Sequence, residues 1–74
     1  MSVVFVEKED IKNVREEIGH YYSNPRNIRV PNRYSNIAPA GLRPCRLESF
    51  TNGAKLVYLF NHEGHLSGYL YYPA

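Results

Sequence analysis

Between Cys45 and Tyr72 three apolar runs are separated by Thr51-Asn52-Gly53 and Asn61-His62-Glu63-Gly64. This punctuation constrains the fold more than any other feature of the chain. Asn-Gly tolerates the positive φ angles of a tight hairpin, so the first separator reads as a turn between two antiparallel strands. Cys45 to Phe50 alternates, with Cys45, Leu47 and Ser49 on one side. Ala54 to Phe60 is apolar on both faces, with Leu56, Tyr58 and Phe60 against Val57 and Leu59. His65 to Tyr72 places Leu66 and Leu70 on one face and Tyr69 and Tyr71 on the other. The expectation is a three-stranded antiparallel meander, ended by Pro73.

Upstream, Val3-Val4-Phe5-Val6 reads as a short strand buried on both faces, either central or covered by a helix. A helix is expected from about Lys8 to Tyr22, because Ile11, Val14, Ile18, Tyr21 and Tyr22 fall at helical spacing. Asn24-Pro25 stops it, since proline lacks an amide hydrogen and disfavours helical geometry before it. Leu66 and Leu70 are expected to share a core face with this helix, leaving Tyr69 and Tyr71 on the opposite, open face. The whole reads as one α+β domain spanning residues 1–74, which at this length supports a single thin core.

From Ser23 to Pro44 the pattern dissolves among Pro25, Pro31, Pro39 and Pro44. Ile28 and Val30 flank Arg29 as a candidate brief strand; the rest reads as a long irregular connection. Connections of that length tend to be functional or disordered. Between Glu17 and Glu48 there is no acid, yet Arg26, Arg29, Arg33, Arg43 and Arg46 all lie there. The acids crowd the N-terminal stretch as Glu7, Glu9, Asp10, Glu16 and Glu17.

The single cysteine excludes an intrachain disulfide, and with no apolar run long enough to span a bilayer the expected compartment is cytoplasmic. Met1 to Val6 is short for a signal peptide and acids follow it directly. Cys45, at a strand start, reads as a small thiol packed like a hydrophobe. His62 and His65 make one close pair on a turn, short of the two pairs a tetrahedral zinc site needs. The glycines are scattered and form no phosphate loop; Gly68, inside a strand, marks a bulge or a close backbone approach. No cofactor, metal or small-molecule substrate is indicated.

What remains is a surface. Arginine grips phosphate or carboxylate with a planar fork, and tyrosine and arginine are enriched where proteins bind one another. Seven tyrosines without a tryptophan is a heavy load for this length. The leading expectation is a non-enzymatic regulator or inhibitor docking on a larger protein through Arg26, Arg29, Arg33, Tyr34, Arg43, Arg46, Tyr69 and Tyr71. In size and single-core build the chain resembles small phage-encoded proteins that seize host machinery such as RNA polymerase. The alternatives are an RNA- or DNA-binding domain using the arginine-rich loop, and a small ribonuclease using His20, His62 or His65. For the last, helix plus antiparallel sheet is similar in outline to the messenger-cleaving toxins of the RelE family. Those usually carry a second helix and more C-terminal basic residues than this chain has.

Overall fold

In the computed structural model, which describes residues 3–26, 30–34 and 37–74, the backbone follows the expected hairpin turns. Strands β3 (Arg43–Phe50), β4 (Lys55–Phe60) and β5 (Leu66–Tyr72) form an antiparallel meander. Gly53 takes φ 96° and Gly64 φ 84°, the left-handed region where a side chain is strained. Each turn is locked by its asparagine. Asn52 Oδ1 accepts from the Ala54 amide at 3.0 Å, and Asn61 Oδ1 accepts from the Glu63 and His65 amides at 2.9 and 3.0 Å.

The sheet is wider than the meander. Strand β1 (Val4–Glu7) pairs with β5, and β2 (Ser23–Arg26) pairs with β3. Among the described residues the result is one five-stranded antiparallel sheet in the order β1-β5-β4-β3-β2. This corrects the three-stranded expectation. The sequence hid β2 because Pro25 reads as a breaker, yet proline is tolerated on an edge strand, where its missing amide faces away from the ladder. The N-terminal strand is an edge strand with Val6 packed under the helix, so it is covered as expected there but is neither central nor buried on both faces, Val4 and Phe5 being exposed.

The helix is shorter than its spacing suggests. A 3₁₀ turn occupies Lys8–Asp10 and α1 runs only over Ile11–Ile18. Gly19 ends it at φ 74°, donating its amide to the Arg15 carbonyl at 3.0 Å. Tyr21 and Tyr22 therefore leave the helical stripe and stand exposed. Ile11, Val14 and Ile18 remain as the packing face.

Both sheet faces are covered. On one, α1 lies against Val6, Phe50, Ala54, Leu56, Tyr69 and Tyr71. On the other, the irregular segment brings Val30, Tyr34, Ala38 and Leu42 down onto Val57, Leu59, Leu70 and Tyr72. Leu56, Val57 and Leu59 are wholly buried, and side chains in such positions each contribute about 1.5–3 kcal/mol. The open face expected opposite the helix is thus covered, among the described residues, by Val30, Tyr34, Ala38 and Leu42. Of the candidate strand about Arg29, Ile28 and Arg29 lie outside the described residues, while Val30 is buried.

Two bulges decide which side chains share a face. Cys45 is skipped between the pairs Pro44–Leu59 and Arg46–Tyr58, and Ser67 is skipped between Leu59–Gly68 and Phe60–Leu66. The second bulge puts Leu66 on the helix side and Leu70 on the loop side, so they do not share a core face as expected. Gly68 stands at this irregularity, and an added Cβ there would lie 2.8 Å from Phe5 Cζ and 3.0 Å from the Val6 carbonyl oxygen. Both meanings of a glycine inside a strand apply to it. Cys45, at the first bulge, is exposed rather than packed as a buried thiol.

Candidate functional site

The edge strand β2 carries Asn24 and Arg26 opposite Ser49 and Leu47 of β3, and Lys55 of β4 pairs with Ser49. Side chains alternate across a strand, so these residues share the loop-side face of the sheet with Val57 and Leu59. The segment Pro31–Tyr34, with a 3₁₀ turn at Asn32–Tyr34, folds over this corner. Together Asn24, Arg26, Pro31, Arg33, Tyr34, Leu47, Ser49 and Lys55 enclose a cleft of about 250 Å³.

The cleft has three cationic side chains from three separate elements and no acidic residue in its wall. Among the described residues, Arg26, Arg33 and Lys55 have no carboxylate within ion-pair distance. Arg26 and Arg33 are exposed; Lys55 is half-buried and its ammonium donates to the Gly53 carbonyl at 3.0 Å. Arg33 is positioned from beneath. The Tyr34 amide donates to the Pro31 carbonyl at 2.9 Å, and the Tyr72 hydroxyl donates to the Arg33 carbonyl at 3.5 Å. The Tyr34 ring meets Tyr72 edge-on at 4.9 Å, and the Arg33 guanidinium lies over Tyr34 at 4.9 Å. The Tyr72 phenol is pushed up by burial and by the neighbouring Tyr34.

The remaining expected site residues lie elsewhere. Arg43 opens β3 beside the β4–β5 turn, in a second cleft with Cys45, Phe60, Asn61, His62, Glu63 and Gly64. Arg46 is on the helix side, over the Tyr58 ring at 5.0 Å, with its Nε buried and without a hydrogen-bond partner. Arg29 lies outside the described residues. Tyr69 and Tyr71 are core residues, 5% and 6% exposed, under α1. The aromatic plane expected on an open face is therefore absent. Strand parity groups Tyr69 with Tyr71, but it does not say which face takes the helix. Their phenols are pushed up by burial, that of Tyr71 also by Glu17.

Sequence reasoning missed Lys55, Asn24 and Ser49. Lys55 left a signal: it is the charged residue on a strand face otherwise held by Val57 and Leu59. It also missed a polar network on the helix side. Arg15 Nη2 donates to Glu48 Oε1 at 3.1 Å and to the Tyr58 hydroxyl at 2.6 Å, Arg15 Nη1 donates to Glu48 Oε2 at 3.4 Å, and the Tyr58 hydroxyl donates to Glu48 Oε1 at 2.6 Å. Burial pushes the Glu48 carboxyl up, but hydrogen bonds from Arg15, Tyr58 and Ser23 outweigh it and hold the group below its ordinary range. Burial and then Glu48 push the Tyr58 phenol up to about 12. The pairing with Glu48 raises Arg15 further. This is a satisfied structural network, with its one carboxylate already occupied by three donors.

The helix side carries both signs, with Glu9, Asp10, Glu16 and Glu17 beside Lys8, Lys12 and Arg15 on α1 and the turn before it, whereas the wall of the cleft on the opposite face holds cations and no acid. His20 sits with α1 residues at another depression, His62 is in the second cleft, and none of the three histidines lines the cationic cleft. Among the described residues there is no metal-ligand cluster, and no helix is long and apolar enough to cross a membrane. No family model, no curated protein and no solved structure matches this chain.

Proposed function

We propose that this domain is a non-enzymatic binding module that grips a nucleic-acid strand through its loop-side face, with Arg26, Arg33 and Lys55 supplying the cationic contacts. The observation that carries this reading is the convergence of three cations on one polar cleft with no carboxylate in its wall. Covering these cations with a neutral partner would cost their hydration, whereas a polyanion supplies charge-assisted hydrogen bonds and releases its own counterions. Glu16 and Glu17 of α1 lie across the sheet from the cleft. The histidines lie away from it too, which favours holding over cleavage. The test is fluorescence anisotropy with mixed-sequence RNA and DNA at low salt. Binding is expected to weaken steeply as salt rises and to be lost in the double charge reversal Arg26→Glu/Arg33→Glu. Wild-type protein that binds no nucleic acid at low salt would end this reading.

A second reading, a regulator docking on a larger protein such as a host RNA polymerase, no longer draws on Tyr69 and Tyr71. It rests instead on Tyr21 and Tyr22, exposed by 52% and 70% after Gly19 ends the helix. An aromatic protein interface is expected to survive salt and to be lost in Tyr21→Ser/Tyr22→Ser, with the cleft variants silent.

A further inference from the structure

The cleft combines features that separate the ways of holding a nucleic acid. Duplex recognition by a module of this size usually sends a helix into the major groove. Here α1 is eight residues long, carries Glu16 and Glu17, and covers the face opposite the cleft. Among the described residues, the regular structure on the loop-side cover is the 3₁₀ turn of Asn32–Tyr34. What the loop side has is a concavity, with Arg26 at the sheet edge, Lys55 on the sheet floor and Arg33 on the cover. Asn24 and Ser49 add neutral donors and acceptors to the same wall.

Arg33 differs from the other two cations. Its guanidinium rests over the Tyr34 ring, that ring is braced edge-on by Tyr72, and the Tyr72 hydroxyl reaches the Arg33 carbonyl. The side chain is nevertheless exposed. A planar cation backed by an aromatic ring and open to solvent is a platform on which a further flat ring can stack. Bases offer such a face only when unpaired and unstacked, as in single strands, loops and ends.

Resting on the nucleic-acid reading above, we infer that the cleft is a nucleotide seat for single-stranded nucleic acid. Arg26 and Lys55 hold backbone phosphate, and the Arg33 guanidinium, backed by Tyr34, stacks on an unpaired base. Pre-positioning by Tyr72 reduces the ordering cost that a free arginine would carry into binding.

The experiment is anisotropy of the full chain with one labelled strand of about 12 nucleotides, within the range of small single-strand sites. The strand is used as RNA, as DNA and as the matching duplex, at roughly 50 and 200 mM salt, the interval over which phosphate contacts are most visible. The seat predicts single strands binding at least about tenfold tighter than duplex, one stacked base being worth that much. It predicts a log–log salt slope of about −1.4, from ~0.7 per phosphate neutralised over the two contacts of Arg26 and Lys55. Arg26→Gln is expected to reduce that slope by about 0.7. Arg33→Lys keeps the charge and removes the plane, so it is expected to weaken single-strand binding about tenfold with the slope unchanged. Both side chains are exposed, and thermal melting confirms that each variant folds. Duplex bound as tightly as single strand, or Arg33→Lys behaving as wild type, overturns the seat and leaves the broader reading standing. No binding to any strand, or a polyglutamate peptide competing as well as the unlabelled strand, overturns both.

Discussion

The two faces of the sheet hold their cations in opposite ways. On the helix side Arg15 is committed: its guanidinium straddles Glu48 and also donates to Tyr58, and the Arg46 guanidinium lies over that same tyrosine ring. On the loop side Arg26, Arg33 and Lys55 face a shared cleft without a carboxylate among the described residues. Arginine content alone does not distinguish these cases. A guanidinium whose donors meet a buried carboxylate is part of the scaffold, whereas one left facing a cleft keeps its donors for a ligand. The nearest carboxylate, not the residue type, separates structure from surface.

The largest expected effect tests whether the two covers are equally solid. Leu56→Ala, under the helix, is expected to destabilise by about 2–5 kcal/mol, and Val57→Ala, under the irregular cover, by about 1.5–3 kcal/mol. Both residues are wholly buried. Urea denaturation measures both, and a near-zero cost at Val57 would mean that the loop cover is not a packed layer.

Next comes the helix-side network. Glu48→Ala is expected to cost about 1–2 kcal/mol by the same measurement. The figure is kept small because Arg15 is partly exposed and regains water when its partner goes. A cost no larger than that of an ordinary surface substitution would erase the contrast between committed and free cations.

Acid sharpens the same point. The Glu48 carboxyl titrates below its ordinary value of 4.5 when folded. The unfolded chain therefore binds more protons in that interval, and stability rises with pH across it. The contribution of Glu48 is complete above 4.5 and is lost as pH falls through the depressed value. Melting temperature against pH should show this limb in the wild type and a shallower one in Glu48→Gln. Coincident curves would place the acid limb on other carboxylates.

The smallest expected effect is on the loop side. Arg26→Gln and Arg33→Lys are expected to change folding stability by no more than about 0.5 kcal/mol, as surface substitutions away from special features do. A loss comparable to Glu48→Ala would show that these cations also belong to the scaffold.

Much of the fold was legible in particular residues. Asn52-Gly53 and Asn61 to Gly64 announce their turns because positive φ and side-chain-to-amide hydrogen bonds are local properties. Ile11, Val14 and Ile18 announce one helical face for the same reason. Helix length was misjudged because Tyr21 and Tyr22 fall at helical spacing, while Gly19, at φ 74°, ends the helix before them. Strand β2 was invisible because Pro25 is acceptable only at an edge, and being an edge is a property of the sheet. Within the site, Arg26, Arg33 and Tyr34 were legible as a cationic, aromatic stretch. Lys55, Asn24 and Ser49 join them only through the pairing of β2 and β4 with β3.

The sequence by itself determined the turns, the meander, the helical face and the split between acidic and arginine-rich stretches, since each depends on neighbours a few residues apart. Tertiary structure alone decided which face took the helix, which tyrosines were buried and which cations found a carboxylate. Those outcomes depend on two bulges and on contacts across the sheet, where skipping a single residue reverses the face that every later side chain presents.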